Sequence, residues 1–289
     1  MSISRRGFLQ SASASLGATL LDRNSFASDD LEPIFTEIRA NLLEMINEER
    51  AVAKLNPLLI DELATQVATR HAQEMAVEDF ASHWGRDGRK PYHRYSFAGG
   101  TQATQENVSA ADNAGSMKLS NLKQDAAYLH VRLYQEKPPY DGHRRAILAP
   151  QHTHVGFGIA VEKLRLRMVE LFVAKYLQVE PIRRKAKPGD RLTFSAKLPK
   201  EGYDLNSVEV FYEPLPAPPE MSWLRQPRSY SLPNESKVLR PNVPLGGKFT
   251  TPIKLFRSEP GIYTIVSWLT RNSGSQKPFP ATEVCIEAS

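Results

Sequence analysis

Disulfides are excluded within this chain of 289 residues, because it contains a single cysteine, Cys285. Its stability must therefore come from packed apolar cores. No apolar stretch approaches the ~18–20 residues a membrane-spanning helix needs, which removes that class of architecture. The chain also lacks a Gly-x-Ser-x-Gly elbow, a His-Glu-x-x-His helix and a phosphate-cradling glycine loop, so it carries no signature of serine-hydrolase, zinc-protease or nucleotide chemistry. Charge of one sign is scarce as well: 37 Lys and Arg against 32 Asp and Glu leave a formal net charge of +5. Such an excess suits an anionic envelope surface and does not argue for nucleic acid.

The ends of the chain read differently from its body. Ser4-Arg5-Arg6-Gly7-Phe8-Leu9-Gln10 is close to a twin-arginine export signature, with Arg5 and Arg6 as the receptor-read pair. A mildly apolar stretch follows to Leu21, and Ser25-Phe26-Ala27 offers small residues to a signal peptidase. These features predict a signal peptide over 1–27, a mature start at Ser28 and a secreted or periplasmic bacterial protein. No cysteine follows the apolar stretch, so a lipid anchor is not expected. Near the other end, Cys285 sits in a β-like run from Thr282 to Ile286, where burial as a small apolar group is its expected role.

From 28 to 178 the pattern is α+β, with helices followed by a late strand pair. Ile34, Ile38, Leu42 and Ile46 recur every fourth residue and give one helix an apolar stripe. Asp61 is placed to cap a second helix, whose Leu63, Val67 and Met75 lead to His83. Pro91 opens a short helix, and another spans Leu119 to Gln135 before Pro138-Pro139. His154–Val161 and Leu164–Phe172 read as strands joined at Glu162-Lys163, short enough for a hairpin. Composition then shifts: 179–190, with Arg183-Arg184-Lys185, reads as a basic linker. From 191 to 289 short alternating runs bounded by Gly and Pro predict an all-β sandwich, with Pro260-Gly261-Ile262-Tyr263 entering a late strand in an immunoglobulin-like manner. Pro214 to Pro244 is a Pro-rich excursion expected to pack over that sheet.

The residues with chemical potential are concentrated in Phe80-Ala81-Ser82-His83, Gln105-Glu106-Asn107-Val108 and Gly142-His143-Arg144-Arg145. Two imidazoles and a carboxylate converging on one pocket can hold a divalent cation, with Glu106 orienting water or an imidazole. The same three residues can equally form a satisfied buried polar network. His152 and His154, two apart, read as a turn residue and a strand residue rather than a chelate. His71 reads as helix packing.

Six segments in order, INEERAVAKLNPL, FASH, GRDGRKPYHRYSFAGG, QENVS, GHRRAIL and HTHVGFGIA, resemble the CAP superfamily of cysteine-rich secretory, antigen 5 and pathogenesis-related proteins. The resemblance covers about Leu42 to Ala174. It implies an α-β-α sandwich with a cavity, in which the family's two histidines and glutamate match His83, His143 and Glu106. It also implies a zinc-like divalent metal on His83 and His143, which two protein nitrogens alone would hold weakly, and a pocket-rim place for His93, where bacterial relatives often carry an acid. Many members carry a second glutamate on the helix before the last histidine; Asp125, His130 and Glu136 are nearby, but none falls in that pattern. An acid pair for general acid–base work is therefore not expected. The leading expectation is an exported protein that binds a small molecule, lipid or cell-wall component without catalysis. A metal-assisted hydrolase using Glu106 as acid or base is one alternative, and a structural or adhesive envelope protein is the other.

Overall fold

A computed structural model of the protein describes residues 28–112, 121–198, 202–243, 247–272 and 277–289. The export segment with Arg5 and Arg6 lies outside the described residues. The first domain starts with α1 (Ser28–Val52), whose Ile38, Leu42 and Ile46 are fully buried. β1 (Leu59–Ile60) leads to α2 (Glu62–Glu78), where Asp61 caps the first turn by accepting the Ala64 N–H at 2.6 Å. α3 (Pro91–Phe97), β2 (Ala103–Asp112), α4 (Leu122–Tyr134) and α5 (Gly142–Ile147) follow. The expected hairpin closes the domain as β3 (His154–Glu162) and β4 (Arg165–Ala174).

These strands form one sheet in the order β1-β3-β4-β2, with β2 at an edge. Phe157, Met168 and Phe172 meet α1, α4 and α5 on one face, while Val169, Leu171 and Val173 meet α2 on the other. The result is an α-β-α sandwich. Glycine sets the depth of one layer: a Cβ at Gly156 or Gly158 would overlap the α2 backbone at Ala64 or Ala68, so α2 lies directly on β3. That docking fixes the end of α2 from which the chain runs to His83. A second constraint fixes α5. Arg50, wholly buried, donates to the carbonyls of Asn56, Ile147, Ala149 and His152 at 2.7–3.2 Å and so ties α1 to the segment after His143.

The second domain is a β-sandwich. One sheet has the order β10-β7-β5 and the other β6-β13-β11-β8-β9, with β12 added to β11. The ranges are β5 (Gln178–Val179), β6 (Lys185–Ala186), β7 (Arg191–Lys197), β8 (Tyr203–Pro214), β9 (Glu235–Leu239), β10 (Lys248–Lys254), β11 (Gly261–Arg271), β12 (Phe279–Pro280) and β13 (Val284–Ala288). Phe194 and Phe249 from the first sheet pack with Val210, Ile265 and Ile286 from the second.

Two expectations need correction here. The stretch 179–190 is no free linker: β5 pairs with β7, and β6 pairs with β13. Arg183, Lys185 and Lys187 stay exposed, but Arg184 turns inward and donates to Ser96 Oγ at 3.0 Å and Gly100 O at 2.9 Å in the first domain. The Pro-rich excursion lies over its own sheet only in part: Tyr230 and Leu232 pack on Ile262 and Cys285, but the rest reaches the first domain. Its short helix α6 (Met221–Leu224) buries Leu224 in the core around α2, and Trp223 meets Trp84 edge-on at 5.0 Å.

The two domains also share backbone pairing. Gln102 bridges Thr282, Glu283 N–H donates to Thr101 O at 3.2 Å, and Cys285 N–H donates to Ser96 Oγ at 2.7 Å. Cys285 is buried as expected, and burial pushes its thiol up to about 12. His93, expected at the pocket rim, is fully buried at this junction instead, with Nε2 3.1 Å from Glu213 Oε1 but off the line of a hydrogen bond.

This junction makes two predictions. Unfolding in denaturant followed by fluorescence and by circular dichroism should give one coincident transition, and proteolysis in 179–190 should not release two folded pieces. The second concerns Glu283, whose carboxyl is buried, accepts from Thr104 N–H and Oγ–H, and makes no ion pair among the described residues. Burial pushes it up to about 8. A carboxyl whose folded value is raised stabilises the fold fully below the unfolded value, about 4.5, and that contribution is lost as pH rises through the folded value. Stability of the wild type should thus fall by a few kcal/mol between roughly pH 4.5 and pH 8, and Glu283→Gln should flatten that slope in pH-dependent unfolding.

Candidate functional site

The loop after α2, the middle of β2 and the start of α5 bring His83, Glu106 and His143 to one cavity of about 810 Å³. His83 Nδ1 lies 3.0 Å from Glu106 Oε1. The other oxygen, Oε2, accepts Arg94 Nη2 at 2.6 Å, and Arg94 Nη1 also holds the His83 carbonyl at 2.8 Å. Burial alone would raise the Glu106 carboxyl, but the Arg94 guanidinium and the His83 hydrogen bond overcome it and hold the group down at about 2. Glu106 is therefore an ion throughout the neutral range.

His143 has its own carboxylate. Its Nδ1 lies 2.6 Å from Glu136 Oε1, and its backbone N–H donates to Glu136 Oε2 at 3.0 Å. Glu136 thus places a second carboxylate at the cavity, one that falls outside the sequence pattern. It sits just after α4, so a search confined to the helix misses it. Asp125 does not line the cavity. His130 turns into the core, where its ring bridges Glu170 at 2.7 Å and Glu49 at 3.0 Å. Burial opposes its charge, yet the two carboxylates push the imidazole up to about 10, so it is a structural cation. Glu170 in turn accepts Asn107 Nδ2 at 3.0 Å, which reaches toward the His143 carbonyl at 3.3 Å. The cavity floor is braced from below by this chain.

One wall comes from the second domain. Tyr230 OH accepts the Glu106 backbone N–H at 2.9 Å, and its ring meets the His83 ring edge-on at 4.8 Å. Pro227, Arg228 and Pro280 line the same side. Nothing in the sequence marked Tyr230, because its role depends on where the Pro-rich excursion lands.

The remaining histidines separate as follows. His71 Nε2 is 2.7 Å from Ser82 O and anchors the loop carrying His83. His152 reaches the cavity, but its Nδ1 is spent on Ala146 O at 2.9 Å, its ring stacks on Phe172, and burial holds it down at about 4. His154 Nδ1 pairs with Thr153 Oγ1 at 2.9 Å, so the two do not act together. Among the described residues no three His, Cys, Asp or Glu side chains are grouped as metal ligands.

Comparison with known proteins places this geometry in context. Residues 43–176 match the family model described as "CAP: Cysteine-rich secretory protein family". Among solved structures the chain is similar to an outer surface protein from Borrelia burgdorferi, at 20% identity and a TM-score of 0.38, covering 47% of this chain and 92% of that one. It is also similar to an extracellular protein containing a SCP domain from Bacillus anthracis, at 20% identity and a TM-score of 0.39, covering 52% of this chain and 45% of that one. A cysteine-rich secretory protein from Staphylococcus aureus matches at 16% identity and a TM-score of 0.31, covering 48% and 39%. No curated protein matches.

Removing Arg94 tests the electrostatics of the site. Arg94→Met leaves a buried carboxylate without its cation and should cost about 3–5 kcal/mol at pH 7. A depressed carboxyl stabilises the fold above its unfolded value, about 4.5, and the contribution is lost as pH falls through about 2. The gap between wild type and variant should accordingly narrow from pH 7 toward pH 3 in chemical unfolding.

Proposed function

From the premise that residues 43–176 are a CAP family domain, we propose that this chain is a non-catalytic binding protein of the cell envelope. Its pocket would hold a divalent cation weakly on His83 and His143 and present it to a small or extended ligand. One observation carries the reading: each imidazole has Nδ1 tied to a carboxylate, His83 to Glu106 and His143 to Glu136, at the rim of one cavity. A neutral imidazole that donates from Nδ1 has its lone pair on Nε2, and carboxylates behind metal-binding histidines play this orienting role. The donor set fits a cation with two nitrogen ligands and water in the remaining positions. Two protein ligands favour exchangeable binding over a structural site.

The hydrolase alternative is disfavoured by Glu106. A carboxyl held at about 2 by Arg94 is a weak proton acceptor near neutral pH, far from the value that suits general base work. Export as a secreted or periplasmic protein belongs to the same proposal. The mild positive charge supports an anionic envelope as its surroundings.

Zinc titration by calorimetry tests the pocket. Wild type should take up zinc weakly, and His83→Ala and His143→Ala should each abolish the heat while melting within a few degrees of wild type. Glu136→Gln should weaken uptake by about 10–100-fold, the usual cost of losing an orienting carboxylate. Uptake should fade on acidification, because protons compete for both imidazoles. A wild type that takes up no zinc at neutral pH, with both histidine variants melting well below it, would show a structural network instead.

A further inference from the structure

Every residue of β2 from Ala103 to Ala110 lines the cavity. Side chains on a strand alternate between faces, so a cavity on one face would take every second residue. Unbroken lining means that the cavity runs along the strand's edge. Among the described residues that edge is free of a neighbouring strand, since β2 is terminal in the order β1-β3-β4-β2.

The first positions of the edge are already satisfied, and by the second domain. Gln102 bridges Thr282 in antiparallel fashion, Thr104 N–H donates to Glu283 Oε2 at 2.8 Å, and Glu106 N–H donates to Tyr230 OH at 2.9 Å. In an antiparallel ladder the residues that turn N–H and C=O away from the partner strand are every second one. Thr104 and Glu106 therefore set the phase, and Val108 and Ala110 turn the same way, toward the cavity. Neither has a hydrogen-bond partner on that side among the described residues. Beside them Ser109 Oγ is buried and makes no hydrogen bond among the described residues, a vacancy that natural interiors rarely tolerate without a ligand or water.

We propose that this open stretch, Val108 to Ala110, binds an extended polypeptide segment by strand addition, continuing along the cavity the pairing that Thr282 begins. The inference rests on reading the cavity as a binding site and names its ligand class. A row of alternating donors and acceptors is matched by a ligand that returns both at strand spacing, which a peptide backbone does. A lipid chain returns neither. Tyr230 closes the row at Glu106, so the added segment is confined to the part of the edge beyond the second domain.

The test uses the full chain and a fluorescent, acetylated and amidated peptide of about seven residues, alternating threonine and valine, because strand addition draws its affinity from the main chain. A second peptide carries N-methyl groups on alternate amides. Anisotropy should show binding of the first and at least about tenfold weaker binding of the second. Hydrogen exchange within 103–112 should slow when the first peptide is added. Ala110→Pro removes an outward N–H and spares the ladder to β4, so it should weaken binding at least about tenfold with little change in melting temperature. Equal affinity for both peptides, unchanged exchange within 103–112, or no binding at millimolar peptide overturns the proposal. Should Ala110→Pro fail to fold, the N-methylated peptide and the exchange measurement still decide. Zinc titration of the same sample separates the two readings: zinc uptake without peptide binding sinks strand addition alone, and peptide binding without zinc uptake sinks the two-imidazole site alone.

Discussion

A carboxylate with 4% exposure is costly unless its charge is met, and Glu106 meets that condition through Arg94 at 2.6 Å and His83 at 3.0 Å. Much of the site depends on this arrangement. Arg94 grips the carbonyl of His83 as well as the carboxylate of Glu106, so one guanidinium from α3 fixes both the loop and the strand that carry the chemistry. Because Glu106 remains an anion, a neutral His83 must donate from Nδ1, which leaves the lone pair on Nε2. The pair Glu136–His143 repeats the arrangement at the opposite rim, with the helix start itself enlisted through the His143 backbone N–H. Two imidazoles in one tautomer are thus a consequence of two carboxylates, one buried beneath an arginine and one half-exposed.

Much of the first domain was legible because its signals are local. The four-residue apolar stripe of α1, the Asp61 cap, Pro91 at the start of α3 and the hairpin at Lys163 each rest on periodicity or backbone chemistry within a few residues. β2 was not legible as a strand. Its sequence, ATQENVSAAD, holds a single β-branched apolar residue, Val108, and becomes a strand through pairing with β4 across the whole of its length. His83, Glu106 and His143 are legible through motif context, whereas Glu136 falls outside that pattern. Only the fold shows that the turn between α4 and α5 bends it back onto His143. Arg94 and Tyr230 gave no signal at all, since a salt bridge between α3 and β2 and a contact across two domains are properties of tertiary structure.

The basic stretch 179–190 is the instructive error. Clustered Arg and Lys between two compositional regimes ordinarily mark a solvated connector. Here Arg184 instead caps orphaned carbonyls, Gly100 O and Cys285 O, and reaches Ser96 Oγ. Burial lowers its guanidinium from the ordinary value, yet among the described residues no carboxylate pairs with it. Arg50 does the same in the first core, surrounded by carbonyls rather than acids. Arg50 and Arg184 thus serve as multi-donor hubs for backbone carbonyls, a role that charge counting along the sequence cannot separate from solvation.

The second domain's contribution to the cavity follows from how its excursion is anchored. It leaves β8 at Pro214 and returns in β9, which pairs back onto β8 from Tyr212 to Val208. Between these ends Leu224 is buried beside α2, and Arg225 Nε donates to Asp79 O at 2.9 Å. Tyr230 itself packs with Tyr92, Ile262 and Cys285 before it reaches Glu106. A wall fastened in this way is a fixed surface rather than a lid. A ligand of the proposed kind would meet preformed partners and give up little of its binding energy to ordering the protein. On the proposed reading, selection of a ligand would rest on the shape between Tyr230 and the edge of β2, and the second domain would belong to the recognition surface as much as the two histidines.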